Sequence, residues 1–172
     1  VATVNDPTKE GRDVQAMLDF VAEQPEALTD GEGDPRAGMV GFSYGGGIQL
    51  TLAGIDCRVD AIVPGSAWNS LTTALFRAET VKTGWAGVLV NAASSGTVDA
   101  HTLTAHESGT ATGTLSDEDR EWFTARGPGE LIDQIRVPTL LVQGTVDTLF
   151  TPDEAILNYE VLAGNDVPLK ML

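Results

Sequence analysis

One short segment of the chain has the residue types of a nucleophilic serine site. In Gly41-Phe42-Ser43-Tyr44-Gly45, glycines stand two residues before and two residues after a serine. This spacing is typical of a tight strand-to-helix turn that presents the serine hydroxyl at the rim of a sheet, where side chains at the glycine positions would clash. The backbone N–H of Tyr44 would then face a developing oxyanion. We therefore predict Ser43 as a nucleophile and Tyr44 as an oxyanion-hole donor.

The residues around Ser43 predict the elements that would hold it. An apolar run at 37–42 comes before the serine, and an apolar segment with helical character at 48–54 follows the glycines. Strand, turn and helix are the surroundings that this motif requires. A glycine turn with a purely structural role is the alternative, and the context favours the catalytic interpretation.

A carboxylate that could orient a catalytic histidine follows a later apolar run. Residues 137–143 predict a buried strand, and Asp147 lies in the loop after it. The carboxyl ends of parallel strands are where ligand-binding groups gather in open α/β sheets. Asp153 is an acidic alternative, but it follows Pro152 in the first turn of a predicted helix, where acids are common. We therefore predict Asp147 as the acid of a triad.

The histidine of such a triad is expected after the acid in chain order. No histidine follows Asp147, and both histidines of the chain, His101 and His106, precede it. We interpret these two as exposed or locally bonded side chains, because a base at either position would break the expected order. The expectation is that early strands precede Val1, that the histidine loop follows Leu172, and that these residues alone have little turnover.

The remaining pattern predicts a parallel sheet with flanking helices. A helix is predicted at 9–24, a loop at 27–35, a strand at 59–64, a helix after Pro152 and a final apolar run at 167–172. Alternating strands and helices favour a parallel α/β sheet whose strands are covered on both faces. On the helix at 9–24, the predicted buried face consists of Val14, Met17, Leu18 and Val21.

The interval between the second and third strands is too long for a simple crossover. It contains all three tryptophans, Trp68, Trp85 and Trp122, which would either line a substrate pocket or form a small core of their own. A helix start with a capping box is predicted at 116–119. We interpret the interval as a helical cap, which divides the chain into a first core part at 1–66, a cap insertion at 67–136 and a second core part at 137–172.

Charge and cysteine content exclude several kinds of function. The formal net charge of −15, from 25 acidic and 10 basic residues, argues against binding to nucleic acid or to an anionic membrane surface. No run approaches the roughly 20 apolar residues of a membrane helix. Cys57 is the only cysteine, so an internal disulfide and a cysteine-based metal cluster are excluded, and we expect its side chain to be buried.

Several segments together resemble a known family. They are Asn5-Asp6-Pro7, 10–16, 20–26 and 38–46, and they are similar to the Xaa-Pro dipeptidyl-peptidase and cocaine-esterase-like acyl esterase family. The resemblance covers nearly the whole chain and is most specific in the Ser-Tyr-Gly-Gly segment at 43–46. It implies an α/β-hydrolase fold with a helical cap inserted before the acid-bearing strand, and in many members a jelly-roll domain follows.

The resemblance would make Ser43 the nucleophile, Tyr44 the donor of a backbone N–H to the oxyanion, and Asp147 the acid. It implies hydrolysis of small-molecule esters, or release of N-terminal dipeptides that end in proline, through an acyl-enzyme that needs no metal or organic cofactor. The alternative is a non-catalytic α/β-hydrolase-like module that binds a ligand in the cap cleft. Exposed apolar strand edges would favour association between copies of the chain.

Overall fold

A four-stranded parallel sheet forms the centre of the molecule. The structure is a computed structural model that describes residues 1–172. Its strands are β1 Thr29–Gly31, β2 Asp34–Pro35, β3 Ala37–Phe42, β4 Val59–Gly65, β5 Phe76–Arg77, β6 Thr80–Val81, β7 Thr139–Leu141 and β8 Leu169–Met171. The central sheet has the order β3-β4-β7-β8, and all of its pairings are parallel. The predicted strands at 37–42 and 59–64 are confirmed, and the run at 137–143 contains the shorter strand β7.

Seven α-helices and one 3-10 helix surround this sheet. They are α1 Glu10–Ala22, α2 Tyr44–Ile55, α3 Leu71–Leu75, α4 Thr83–Ala93, α5 Ala100–Thr112, α6 Asp117–Thr124, the 3-10 helix Gly129–Gln134, and α7 Pro152–Ala163. The predicted helix starts after Ser43 and at Pro152 are confirmed, as is the predicted parallel α/β architecture. None of these helices combines the length and the apolar character needed to cross a membrane.

The main core lies where α2, β4, the 3-10 helix and α7 meet. Burial of apolar side chains there supplies most of the driving force for folding. Its fully buried members come from all four elements, and they include Leu50, Leu52, Ile62, Ile132 and Leu162. A second, smaller cluster lies beside the cap and consists of Trp68, Leu71, Ala74 and Phe150.

The buried face of α1 is narrower than predicted. Leu18 is buried and Val14 packs against the main core. Met17 is 63% exposed and Val21 is 39% exposed, so the predicted four-residue face is wrong at these two positions. The reason is that α1 packs mainly along α2 and β2, which leaves the flanks of its apolar stripe in solvent.

The expectation that every strand of the sheet is covered on both faces is wrong for β3. Burial alternates along this strand, with Met39 packed against the main core, whereas Val40 is 74% exposed and Phe42 is 58% exposed. Strand residues alternate between faces, and α2 packs on one of them.

Two further predictions are wrong. The predicted loop at 27–35 contains the antiparallel hairpin of β1 and β2, and Cys57 is exposed rather than buried.

The segment between β4 and β7 is largely helical. It contains α3, the β5–β6 hairpin, α4, α5 and α6. The predicted capping box is confirmed, since Asp119 N donates to Ser116 Oγ at 3.1 Å and Ser116 N donates to Asp119 Oδ2 at 3.3 Å. Ile132 and Ile135 pack in the main core, so the last part of the proposed cap at 67–136 lies on the core side.

The close approach of α2 to the 3-10 helix gives a test of this packing. A Cβ at Gly54 would lie 2.6 Å from the backbone oxygen of Leu131. Replacing glycine by alanine inside a helix normally stabilises it by roughly 0.5–1 kcal/mol. Because of the backbone clash, we expect Gly54→Ala to lower the free energy of unfolding by about 1–3 kcal/mol.

Urea titration followed by circular dichroism measures this change. The matched control is Gly84→Ala in α4, where an added Cβ meets nothing within 4 Å, and which we expect to be neutral or stabilising. An unchanged or higher stability of Gly54→Ala would contradict the packing of α2 on the 3-10 helix.

Candidate active site

Ser43 lies between β3 and α2 in a backbone conformation that serine rarely adopts. Its φ is 56° and its ψ is −121°, values of the first central position of a type II′ turn, which glycine dominates. Ser43 N donates to Gly65 O at 2.9 Å, and Ser43 O accepts from the N–H groups of Gly46 and Gly47, each at 2.9 Å. Its hydroxyl does not cap α2. A strained serine at a strand-to-helix turn is the arrangement that the sequence motif predicts.

The two glycines of the motif are not equally required. A Cβ at Gly41 would lie 3.0 Å from both Gln49 Nε2 and Gly45 O, so this position has little room for a side chain. A Cβ at Gly45 would meet nothing within 4 Å. The prediction that both glycines relieve clashes is therefore confirmed at Gly41 and wrong at Gly45.

The close approaches on the helix side fall at the next two glycines instead. A Cβ at Gly46 would lie 2.6 Å from Gly65 O, and one at Gly47 would lie 2.5 Å from Asn5 Nδ2 and 2.8 Å from the ring of Trp68. The first turn of α2 can approach β4 and Trp68 only because these positions lack side chains.

Tyr44 is fixed on two sides by the segment that precedes α1. Its hydroxyl donates to Glu10 Oε1 and accepts from Asn5 N at 3.1 Å, and its carbonyl oxygen accepts from Asn5 Nδ2 at 3.1 Å. Asn5 is fully buried and, like Val4, has a positive φ. The N–H of Tyr44 has no backbone acceptor. This N–H at the start of α2 is therefore free to donate to a bound oxyanion.

The carboxylate of Glu10 accepts four hydrogen bonds. Thr3 N donates at 2.6 Å and Asp6 N at 3.0 Å, and the hydroxyls of Thr3 and Tyr44 also donate to it. Burial raises the pKa of Glu10, but the hydrogen bonds from Thr3 and Tyr44 outweigh burial and hold the pKa below its usual value. Burial and the carboxylate of Glu10 raise the pKa of Tyr44, so Tyr44 is a neutral donor near pH 7.

Asp147 lies half-buried in the loop that leaves β7. Its Oδ1 accepts from the N–H groups of Leu149 at 2.9 Å and Phe150 at 3.0 Å, and Gln143 Nε2 lies 3.5 Å from its Oδ2. The backbone thus orients the carboxylate through one oxygen. The alternative acid, Asp153, lies exposed in the first turn of α7 and pairs with the guanidinium of Arg77.

The sheet order brings the loops of Ser43 and Asp147 to one edge. Ser43 follows β3 and Asp147 follows β7, with β4 between them. Two strand spacings separate the strand ends by about 10 Å. Trp68 lies between the two loops, 6.2 Å from the ring of Tyr44 and 5.0 Å from the ring of Phe150 between centroids.

The start of α4 holds the acid loop from the cap side. Lys82 Nζ donates to the carbonyl oxygens of Thr148 at 3.0 Å and Leu149 at 2.8 Å, and Trp85 Nε1 donates to Thr148 Oγ1 at 3.2 Å. Burial, with a smaller contribution from Arg77, lowers the pKa of Lys82. The contact of Lys82 with this loop is not visible in the sequence, because the partners are more than sixty residues apart.

An apolar cavity of about 180 Å³ opens beside Ser43 and Tyr44. Sixteen of its 19 lining residues are hydrophobic, and Ser43, Thr102 and His106 are the others. Of the three tryptophans, Trp68 lines this cavity. Trp68 also belongs to the small buried cluster with Leu71, Ala74 and Phe150, whereas Trp122 lies elsewhere in the cap, where it stacks on His101.

The two histidines occupy different environments. His101 Nε2 lies 3.0 Å from Asp119 Oδ1, and its ring stacks on Trp122 with centroids 4.6 Å apart. His101 is thus held by local contacts, as interpreted, but its Nε2 does not have the geometry of a hydrogen bond to Asp119. His106 lines the same cavity as Ser43, a placement that the sequence pattern did not indicate.

The parallel sheet, the strained serine after a strand and the acid loop two strands away define the α/β-hydrolase class. The family model for X-Pro dipeptidyl-peptidase (S15 family) matches residues 3–172. The chain belongs to this family, as its motifs predicted.

Solved structures with a similar fold are much longer proteins. An acylaminoacyl peptidase from Pyrococcus horikoshii is 16% identical, with a TM-score of 0.65 over 98% of this chain and 23% of its own. Dipeptidyl peptidase 4 from Porphyromonas gingivalis is 14% identical, with a TM-score of 0.65 over 98% of this chain and 19% of its own. A puromycin hydrolase is 26% identical, with a TM-score of 0.57 over 93% of this chain and 20% of its own. The chain thus spans about a fifth of their length, and a search of curated protein sequences found no match.

The carboxylate of Glu10 predicts an acid-sensitive contribution to stability. Because its pKa is lowered in the folded state, the contribution is present above the unfolded-state value, near 4.5, and is lost as the pH falls through the folded value. We expect Glu10→Gln to lower the free energy of unfolding by about 1–3 kcal/mol at pH 7, and by much less at about pH 3.

Urea titrations at the two pH values measure this difference. Glu23→Gln is the matched control, because Glu23 is exposed just after α1 and should show no pH-dependent effect. If the loss in Glu10→Gln were the same at both pH values, the carboxylate contacts of Glu10 would not be its source.

Proposed function

We propose that this chain carries the nucleophile and acid of a serine hydrolase that cleaves ester or amide bonds, with Xaa-Pro peptide bonds as the first peptide substrates to test. The observation that supports this most directly is the conformation of Ser43, with φ 56° and ψ −121° at the end of β3. Backbone strain of this kind costs about 1–3 kcal/mol and concentrates at functional sites. A turn of purely structural purpose has no need for a serine there.

The proposed reaction passes through an acyl-enzyme. A base takes the proton of the Ser43 hydroxyl as its oxygen attacks the substrate carbonyl carbon. The carbonyl oxygen becomes an oxyanion that accepts from the N–H of Tyr44. The tetrahedral intermediate then collapses, the base gives its proton to the leaving alcohol or amine, and water releases the acyl group from Ser43 by the same steps.

Asp147 is the proposed acid that orients the base. Its Oδ1 is occupied by two backbone N–H groups, while Oδ2 has only Gln143 at 3.5 Å. This leaves one carboxylate oxygen for the N–H of an imidazole, which would be held in the correct tautomer. The separation of about two strand spacings leaves room for a ring between Asp147 and Ser43.

The proposed base is a histidine. In this class it follows the acid in chain order, and within residues 1–172 both histidines precede Asp147. His106 is a second candidate, because it shares the cavity wall with Ser43. His101 is a weaker one, since it is stacked on Trp122 and paired with Asp119.

A fluorophosphonate probe tests the nucleophile. In this reaction the serine oxygen bonds to phosphorus and fluoride leaves. Applied to the protein as expressed from its gene, the probe should label the wild type, and Ser43→Ala should abolish labelling. The control Ser70→Ala, next to α3, should be labelled like the wild type. Absence of labelling from the wild type would favour a ligand-binding module without catalysis.

The choice of acid is tested by paired variants. We expect Asp147→Asn to lower kcat/KM for a p-nitrophenyl ester by about 10³- to 10⁴-fold, because the imidazole loses its orientation and its counter-charge. Asp153→Asn removes an exposed ion pair with Arg77 and should change kcat/KM by less than about threefold. A larger loss in Asp153→Asn than in Asp147→Asn would reverse the assignment.

The same ester assay separates the histidines. If the base follows the acid in the expected order, His106→Ala and His101→Ala both keep most of the activity. A loss of more than about 10³-fold in His106→Ala alone would make His106 the base, in a chain order not expected for this class.

A further inference from the structure

We propose that the cavity beside Ser43 binds the acyl part of the substrate and selects an uncharged apolar group about the size of one aromatic ring. This inference rests on the proposed function of Ser43 as nucleophile. It narrows the substrate class from esters and amides in general to those of neutral, apolar acids. Among the substrates of the proposed function, it therefore favours neutral acyl esters over Xaa-Pro peptides, whose acyl group carries a free ammonium.

The wall of the cavity has no charged side chain that would form an ion pair with an ammonium. Its 19 lining residues include no aspartate, glutamate, lysine or arginine, and sixteen of them are hydrophobic. A charged amine placed there would lose its hydration without gaining an ion pair, which is strongly unfavourable. An apolar group would instead bury its surface against leucine, valine and aromatic side chains.

The carboxylates that adjoin the wall are held by donors of the protein itself, apart from one oxygen of Asp147. Asp147 Oδ1 accepts from the N–H of the wall residue Phe150, and its Oδ2 is the oxygen that we propose holds the base. Three other carboxylates near the wall are each bonded to donors of the protein. These are Glu10 with Thr3 and Tyr44, Asp6 with Thr8 and Arg126, and Glu154 with Asn69, Ser70 and Thr73. Recruiting one of them for a substrate amine would break these bonds.

The size of the cavity limits what it can hold. An apolar protein cavity of about 150 Å³ is known to stay dry and to bind benzene. The volume beside Ser43, about 180 Å³, therefore accommodates one aromatic ring or a branched chain of similar size. Elements of the cap supply much of the wall, among them Ala86 and Leu89 on α4 and Ala105 on α5.

Two residues of the wall have a buried polar atom without a hydrogen-bond partner, Trp68 through Nε1 and Thr102 through Oγ1. Thr102 lies on α5. Apolar binding sites commonly use a few such groups to orient a ligand. The Thr102 hydroxyl is placed to donate to an oxygen of the bound molecule, and this gives the inference a second, independent test.

Binding of two matched amides tests the selection without requiring turnover. The probes are 3-phenylpropanamide and phenylalaninamide, which differ only by an α-amine that is protonated at pH 6. Ligand-observed NMR titration of the protein should give a Kd for phenylalaninamide at least about 30-fold weaker than for the neutral amide. Equal binding, tighter binding of the charged amide, or no binding of either would overturn the inference.

Two pairs of variants test whether 3-phenylpropanamide binds in the cavity beside Ser43. Thr102→Val should weaken binding of 3-phenylpropanamide by about 3- to 10-fold, whereas Thr104→Val, exposed on the same helix, should leave it unchanged. Ala86→Phe should fill the cavity and abolish binding, whereas Val88→Phe, 55% exposed on the same helix in the wild type, should not. Full binding by a folded Ala86→Phe, or equal effects of the two threonine variants, would place the ligand elsewhere.

The binding test of the cavity and the labelling test of Ser43 can succeed or fail independently of each other. Ser43→Ala should bind 3-phenylpropanamide as the wild type does, because the cavity does not need the hydroxyl. Selective binding without fluorophosphonate labelling would remove the catalytic proposal and leave the apolar site. Labelling of Ser43 together with preferred binding of phenylalaninamide would keep the hydrolase and overturn the inferred acyl group.

Discussion

The positive φ of Ser43 is the constraint on which the rest of the site depends. A non-glycine residue keeps such a conformation only where its surroundings favour it by more than the roughly 1–3 kcal/mol of strain. Here the favourable contacts are the bond from Ser43 N to Gly65 O and the two N–H groups of α2 that bind Ser43 O. The bond to Gly65 depends on α2 lying very close to β4, which requires glycine at 46, and glycine at 47 lets the same turn approach Asn5 and Trp68.

The segment before α1 extends this support to the residue after the serine. Asn5, fully buried and in a left-handed conformation, binds the hydroxyl and the carbonyl of Tyr44. Glu10 binds the same hydroxyl and also Thr3 and Asp6. The free N–H of Tyr44 is thereby held by contacts made through both its side chain and its carbonyl, so its direction does not rely on α2 alone.

Short sequence patterns predicted the sheet strands and the turn at Ser43, because each of these features is encoded within a few neighbouring residues. The apolar run at 37–42, the glycines and Pro152 were sufficient to place β3, α2 and α7. Features that depend on distant partners were missed. The exposed faces of α1 and β3, the tie between Lys82 and the acid loop, and the cavity position of His106 each depend on which element packs alongside. Hydrophobic periodicity gives the apolar stripe but not the width of the surface that covers it.

Helix α4 connects the wall of the apolar cavity to the loop that contains Asp147. Lys82, just before the helix, binds the carbonyls of Thr148 and Leu149, and Leu149 N in turn binds the carboxylate of Asp147. Ala86, one turn further along α4, lines the apolar cavity. Protein packing transmits shifts of this kind rather than absorbing them. A molecule in the cavity that displaced α4 would therefore also displace the backbone N–H groups that orient the carboxylate of Asp147.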